Sequence, residues 1–408
     1  MQPGDAVRRA LKGSSFAGPL FLLAVGKAAW PMADAAHEAL GDKIERGVVI
    51  TKYGHSRGEL GGAIDIYEAG HPIPDGNSYR ATEAALDMVS EIGESDTLIL
   101  LLSGGGSALF EKPLIPAAEV ADLNGQLLSC GADISEINTI RKRLSAVKGG
   151  RLAEACRGSI YQIILSDVIG DRLDMIASGP AAADSSTCDD AMAIVSKYGL
   201  SLSDAAKACL SKETPKSLSN VESEIVGSVR LLCESAANVA TQLGYKAEIM
   251  TDSMDCEASD AGKMLAKLAI EWTDHHNNNN GLAASNGNSK SNAPRAFIYG
   301  GETVVHIKGN GKGGRNQELA LSAANEIEGL ENVLIFSLGS DGTDGPTDAA
   351  GGIVDGQTAT KLREKDISIE EIMANNDSYN ALKEVDGLIM TGPTGTNVND
   401  VSVLLVQP

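Results

Sequence analysis

The sequence predicts two α/β domains, the first a parallel sheet with helices on both faces and the second smaller. Three observations predict it. Apolar runs of strand length alternate with stretches of helical periodicity from about residue 20 onward. Several of these runs, notably 19–25 (PLFLLAV) and 96–102 (DTLILLL), have little polar alternation and fit strands buried on both faces. Finally, 408 residues with 43% hydrophobic content suffice for two or three domains with cores of their own. The expected organisation is a helix within 1–19 packing on the second domain, a first domain over 20–240, and a second over 241–408 with a flexible insertion at 274–294.

A short helix is expected over 5–17, then the strand 19–25. Gly26 and Lys27 follow, and a helix is read over 28–40. Lys27 therefore stands where a strand hands over to a helix, the position at which open α/β sheets bind ligands; a solvated loop lysine is the bland reading. Strands are read over 46–51 and 64–69. The turn HPIPDG after them makes His71 the histidine to watch, a loop-capping role being its alternative. A helix over 77–92 leads to the strand 96–102. That strand delivers Ser103, Gly104, Gly105, Gly106 and Ser107, whose amides form a nest suited to phosphate where a plain tight turn needs fewer glycines.

Two helices follow, the second carrying Arg141, Lys142, Arg143, Lys148 and Arg151 in RKRLSAVKGGR. In an acidic chain such a run reads either as a phosphate site or as a solvated face. The strand 160–165 ends in Asp167 and Asp171, placed to bind Mg²⁺ or a substrate hydroxyl, or to cap a helix. Helical stretches are read over 187–212, 235–243 and 258–272, with a strand over 246–250. The segment 274–294 (DHHNNNNGLAASNGNSKSNAP) is poor in apolar residues, and its His275 and His276 read as solvent-exposed.

The second domain is organised around 299–324. A β-branched strand at 303–307 (TVVHI) runs into the glycines of GNGKGG, and a helix over 315–327 places Leu319, Ala320, Ala323, Ala324 and Ile327 on one face. Glycine amides and an open helix start suit an anionic oxygen, so Gly313, Gly314 and Asn316, with Lys312 and Arg315 adding charge, form a candidate phosphate site. Glu302 and Glu318 could hold a cation or a cationic side chain there. The turn also spells G-x-G-x-x-G through Gly309, Gly311 and Gly314, a dinucleotide fingerprint, but that reading wants an acidic residue at the end of the next strand, and that strand ends in the very different GSDGTDGPTD. A solvated glycine hairpin is the other option. The strand 333–338 delivers Asp341, Asp344 and Asp348 in GSDGTDGPTDAAGG, a Mg²⁺ or polyol site or a capped turn and not an EF-hand. The segment 376–382, the polar turn 391–400 and the strand 401–406 close the chain.

The charge, 34 minus 55 or −21, argues against nucleic-acid and anionic-membrane partners. Six cysteines show no C-x-x-C pair and read as reduced thiols. No segment approaches the ~20 apolar residues of a membrane span and no secretory signal stands at the start, so a cytoplasmic protein is expected.

The ordered blocks LAVGKAA, HPIPDG, LLSGGGSALF, INTIRKRLSAVKGGRLAE, ILSDVIGDRLDMIASGP, GGETVVHIKGNGKGGRNQELAL, SDGTDGPTDAAGGIVDG and TGPTGTNVNDVSVLLV together resemble the class II glycerate kinases, the glycerate 2-kinases whose carboxyl-terminal part is the MOFRL domain. The Asn-rich insertion and Val304, where the family often has Thr, depart from the pattern. The start at Gln2 looks short for the family, which implies a trimmed amino-terminal helix. The resemblance implies a Rossmann-like first domain and an active site in the inter-domain cleft. It also implies phosphorylation of D-glycerate on its 2-hydroxyl, requiring ATP and Mg²⁺ and giving 2-phosphoglycerate. An NAD(P)H-dependent hydroxypyruvate reductase is the competing expectation, and a homodimer is left open. In the family the lysine of VGKA and the arginine of GGRNQE are tied to catalysis, which are Lys27 and Arg315 here. The residues 103–107, with Lys148 and Arg151, would cradle phosphate or the glycerate carboxylate. Asp167, Glu302, Asp341 or Asp344 would hold Mg²⁺ or draw the proton from the 2-hydroxyl.

Overall fold

The computed structural model describes residues 2–280 and 293–408. The chain forms two compact units that divide at Gly227/Ser228, not at 240. The first holds strands β1 (Leu20–Val25), β2 (Ile44–Lys52), β3 (Ile64–Ala69), β4 (Thr97–Leu102), β5 (Ser159–Leu165) and β6 (Val221–Gly227) in one sheet ordered β3-β2-β1-β4-β5-β6. Every neighbouring pair is parallel. All six residues of β1 and of β4 are buried, which is what their uninterrupted apolar sequence requires. Each fully buried Leu in them, such as Leu22 or Leu100, contributes on the order of 1.5–3 kcal/mol.

The connections are α1 (Pro3–Leu11), α2 (Ala29–Leu40), α3 (Gly76–Glu91), α4 (Gly106–Leu109), α5 (Ala117–Ser129), α6 (Ile134–Arg143), α7 (Arg151–Ala155), α8 (Cys188–Tyr198) and α9 (Asp204–Leu210). The helix α1 belongs to the first unit, where it packs on α2 and touches β5 and β6. Arg8 on it bonds Glu38 of α2 (2.8 Å), and the Tyr161 hydroxyl of β5 donates to the Ala10 carbonyl (3.4 Å). Helices α5, α6, α8 and α9 share an apolar cluster of their own, with Leu123, Ile140, Leu144, Ile194 and Leu210 inside it. The chain leaves β1 toward β2 on one side, while β4 lies on the other, so the sheet reverses direction between β1 and β4. A crevice opens at the carboxyl ends of strands at such a reversal.

The second unit comprises α10 (Val229–Gln242), β7 (Lys246–Met254), α11 (Ala258–Asn280), β8 (Arg295–Gly301), α12 (Arg315–Glu326), β9 (Val333–Gly339), β10 (Gly351–Asp355), α13 (Thr358–Glu364), α14 (Ile369–Ala374), α15 (Ser378–Glu384), β11 (Leu388–Ile389) and β12 (Asp400–Val406). Its sheet runs β11-β10-β9-β12-β8-β7, parallel only between β7 and β8. The helix α10 packs on β7 and β8, which is why the boundary falls before it. The strand expected at 303–307 does not form. Val304 and Ile307 are exposed, Val304 makes one isolated bridge with Glu257, and the strand of this region is β8, upstream. The helix α11 continues to Asn280, into the segment read as an insertion, and 281–292 lie outside the described residues. Among the described residues no helix is long and apolar enough to cross a membrane.

Candidate active site

The turns after β1 and β4 lock together at the sheet reversal. Gly26 has φ +126°, and any side chain on it would overlap Ser103. Its carbonyl accepts from the Thr51 hydroxyl (3.0 Å), the Lys27 amide donates to the Gly104 carbonyl (2.8 Å), and the Ala28 amide donates to Ser103 Oγ (3.1 Å). The loop from 104 to 107 lies beside three of the predicted residues. A Cβ on Gly105 would sit 3.0 Å from the His71 ring and 3.2 Å from Lys27 Cγ, and one on Gly104 would overlap the Asp167 carboxylate. Lys27 is half-buried and forms no ion pair among the described residues. Burial, reinforced by Lys27, Lys52 and His55, holds the His71 imidazole below its ordinary 6.5, so it is neutral at pH 7.

The amides of Gly104, Gly105, Gly106 and Ser107 donate to no acceptor among the described residues. Backbone donors in a partly buried loop seldom stay unpaired, and four in succession beside a lysine make an anion-binding concavity. The end of the loop is fastened sideways: Ser107 Oγ lies 3.1 Å from Ser178 Oγ, which donates to Asn138 Oδ1 on α6 (3.1 Å).

The basic run resolves differently from the expectation. Lys148 is fully buried and bonds Glu111 and the Phe110 carbonyl (3.1 Å), so it is no phosphate ligand; burial lowers its pKa against the pull of Glu111. Arg151 Nη1 donates to the carbonyls of Arg143 (3.2 Å) and Ser145 (2.6 Å) at the end of α6, where a cation complements the helix dipole. Lys142 pairs with Asp174 (3.1 Å) and Asp184 (3.0 Å), and Arg143 with Ser186 and Glu213. Arg141 alone of the five has neither hydrogen bond nor ion pair on its side chain among the described residues, a distinction its sequence position does not reveal.

In the second unit Arg315 opens α12. Its Nε and Nη2 reach the two Asp400 oxygens (2.5 and 3.0 Å) and its Nη1 reaches Glu302 (2.7 Å), a forked grip that fixes the guanidinium plane. Burial opposes the charge, but Asp400 and Glu302 outweigh it and push the pKa up. About a third of the side chain stays exposed, 34%. Glu302 is thus partnered with Arg315, as the cationic-partner reading allowed. Asp341 Oδ1 accepts from the Thr343 amide (2.9 Å).

Asp344, expected as a metal ligand, is buried and caps α12. Its carboxylate accepts from the amides of Asn316 (3.2 Å) and Gln317 (2.9 Å), and burial raises its pKa. The helix start is therefore already occupied by an anion of the protein itself. Asn316 is buried between Asp344 and Ser337, and Glu318 is buried with Asn376 Nδ2 on its carboxylate (3.1 Å), so both already have protein partners. The glycine turn is likewise committed. Amides of Lys308 (2.7 Å), Gly309 (3.1 Å), Asn310 (3.0 Å), Gly311 (2.8 Å) and Lys312 (2.8 Å) donate to oxygens of Asn375, Asn376 and Asp377. Side chains at Gly309, Gly311 or Gly313 would strike that same segment, and one at Gly314 would strike Asp344. The first part of the G-x-G-x-x-G spacing here serves close packing of backbone on backbone, its amides taken, while the amides of Gly313 and Gly314 donate to no acceptor among the described residues. Among the described residues, no three His, Cys, Asp or Glu side chains gather as a metal site.

Residues 1–211 match the family described as "Domain of unknown function (DUF4147)", and residues 295–400 match the MOFRL family. The chain is 52% identical over 392 residues to the D-glycerate 2-kinase of Thermotoga maritima, covering 95% of this chain and 90% of that one. It is 43% identical over 402 residues to the glycerate 2-kinase of Pyrococcus horikoshii, covering 95% and 88%. The crystal structure of the glycerate kinase from Thermotoga maritima matches with a TM-score of 0.91 at 50% identity, over 100% of this chain and 95% of that one. By sequence along nearly its whole length and by fold, the chain belongs to the glycerate 2-kinase family of enzymes, with a MOFRL domain as its carboxyl-terminal part.

Proposed function

We propose that the chain transfers the γ-phosphoryl group of ATP to the 2-hydroxyl of D-glycerate, giving 2-phosphoglycerate. The observation that carries this reading is the run of uncommitted amides from Gly104 to Ser107 beside Lys27, His71 and Asp167. Phosphoryl transfer asks little covalent chemistry of a protein; positioning and charge neutralisation do the work. The amides and Lys27 receive phosphoryl oxygens, and among the described residues Lys27 has no ion pair to be detached from first. Asp167, after β5, stands against that loop at Gly104, and a single carboxylate beside nucleotide phosphates matches how Mg²⁺ is usually held, so Asp167 would be its protein ligand. Mg²⁺ bound there supplies further neutralisation of phosphate charge. The neutral His71 ring can accept the proton of the 2-hydroxyl. Arg315, its plane fixed by Asp400 and Glu302, presents its exposed edge without reorganising, which is how a preorganised cation lowers the barrier.

The reductase reading needs free amides along the G-x-G-x-x-G turn, and those from Lys308 to Lys312 donate to Asn375, Asn376 and Asp377. The test is incubation of the protein with D-glycerate, ATP and Mg²⁺, coupled through enolase alone or through phosphoglycerate mutase plus enolase. Signal with enolase alone is expected, and Lys27→Ala and Arg315→Ala should each abolish it. Signal only with mutase present would move the product to the 3-phosphate. NADH consumption with hydroxypyruvate and no kinase signal would overturn the reading.

A further inference from the structure

We propose that Arg141 receives the carboxylate of the acceptor, so that the first unit selects a short hydroxy acid by its negative charge. This rests on the kinase reading above. Of the five cations between 141 and 151, four are held by Asp174, Asp184, Glu213, Glu111 or the carbonyls ending α6, and the Arg141 side chain makes no hydrogen bond or ion pair among the described residues. It is half-buried, and a guanidinium in that setting without a partner forgoes the charge-assisted bonds that repay its desolvation. Its nearest compensating charge, Glu111, is already paired with Lys148, so the trio Glu111, Lys148 and Arg141 carries one surplus positive charge. An arriving anion restores the balance.

The position fits. Arg141 stands three residues after Asn138 on α6, hence on the same helix face, and Asn138 anchors Ser178 and through it Ser107, the last residue of the amide loop. The first residues of that loop, Gly104 and Gly105, lie against Asp167, Lys27 and His71. The loop thus has a phosphoryl end at Lys27 and an acceptor end toward α6. Arginine's planar fork matches a carboxylate with two parallel bonds, a geometry lysine cannot copy. Tyr79, whose hydroxyl feels the Glu111 charge, comes to the same cluster from the first turn of α3.

The test compares wild type, Arg141→Ala and Arg141→Lys with D-glycerate and with its neutral amide, 2,3-dihydroxypropanamide, at saturating ATP and Mg²⁺. Calorimetric titration of D-glycerate without ATP accompanies the kinetics. Arg141→Ala should raise KM for D-glycerate about 30-fold or more while leaving KM for ATP and kcat/KM for the amide within about threefold. Arg141→Lys should recover part of the loss. Equal losses on the acid and the amide, or a change confined to KM for ATP, would overturn the assignment even if the protein is a glycerate kinase. Conversely, D-glycerate binding that weakens in Arg141→Ala without any phosphoryl transfer would uphold Arg141 and sink the kinase reading. Wild type that binds no D-glycerate in either assay would overturn both. If Arg141→Ala does not fold, Arg141→Lys and Arg141→Gln carry the same acid-against-amide comparison.

Discussion

Gly104→Ala tests the proposed geometry with a single methyl group. Gly104 does not occupy the left-handed region, so alanine fits its backbone without strain. The added Cβ would lie 2.8 Å from Asp167 Cγ and closer still to Oδ2, against about 3.4 Å for ordinary contact, so the carboxyl carbon must retreat by roughly 3.4 − 2.8 = 0.6 Å and its oxygen further. Catalytic groups work within about 0.5 Å of their productive position, and a 1 Å misplacement can cost about 10²-fold. We expect kcat with D-glycerate to fall between about 10- and 100-fold. Stability should change by less than about 1 kcal/mol, because a partly exposed carboxylate can swing aside. The assay is the enolase-coupled rate alongside a thermal melt, with Gly125→Ala as control. Gly125 lies in α5 with nothing near its absent Cβ, so alanine there should stabilise slightly and leave kcat alone. Unchanged kcat in Gly104→Ala would remove Asp167 from the chemistry. A large drop in melting temperature would make the Gly104 contact structural.

Lys148→Met leaves the Glu111 carboxylate buried without its ion-pair partner and should cost about 3–5 kcal/mol in denaturant unfolding; adding Glu111→Leu should recover most of it, and a loss under about 1 kcal/mol would contradict the burial argument. Asp344→Ala removes the cap that holds two α12 amides and should destabilise by about 1–3 kcal/mol by the same measurement, whereas unchanged stability with a raised Mg²⁺ requirement would return Asp344 to metal chemistry. Because His71 titrates below its ordinary 6.5, the acid limb of kcat/KM should lie below that pH and vanish in His71→Gln at a lower plateau. The same depressed pKa means that any stability His71 contributes is present above 6.5 and lost as pH falls through the folded-state value; an acid limb centred at or above 6.5 would refute both statements.

What the sequence discloses depends on whether a residue's job is local. β1 and β4 are legible because a strand buried on both faces must be apolar throughout. β6 is not, since it is an edge strand with Glu222 and Glu224 exposed and only its last two residues buried. The β-branched run 303–307 misleads for the opposite reason: propensity favours a strand, yet no sheet edge is offered to it beyond one bridge. Lys27 and the 103–107 loop can be read in advance because ligands sit at the carboxyl ends of strands, and a strand followed by a glycine or a lysine shows where those ends are.

The two glycine turns show where such reading stops. SGGGS and GNGKGG look alike in sequence, since glycine is required wherever another backbone or a ligand must come within reach of the main chain. In the first, four successive amides are left without protein acceptors. In the second, the four from Gly309 to Lys312 are taken by Asn375, Asn376 and Asp377, a polar cluster more than sixty residues later in the chain, and only those of Gly313 and Gly314 are left. What separates a ligand loop from a packing loop is therefore the destination of its amides, a long-range fact. The same holds for the basic run, where Lys142, Arg143, Lys148 and Arg151 are held by partners that only the fold brings near, and among the described residues the Arg141 side chain alone of the five is left without one.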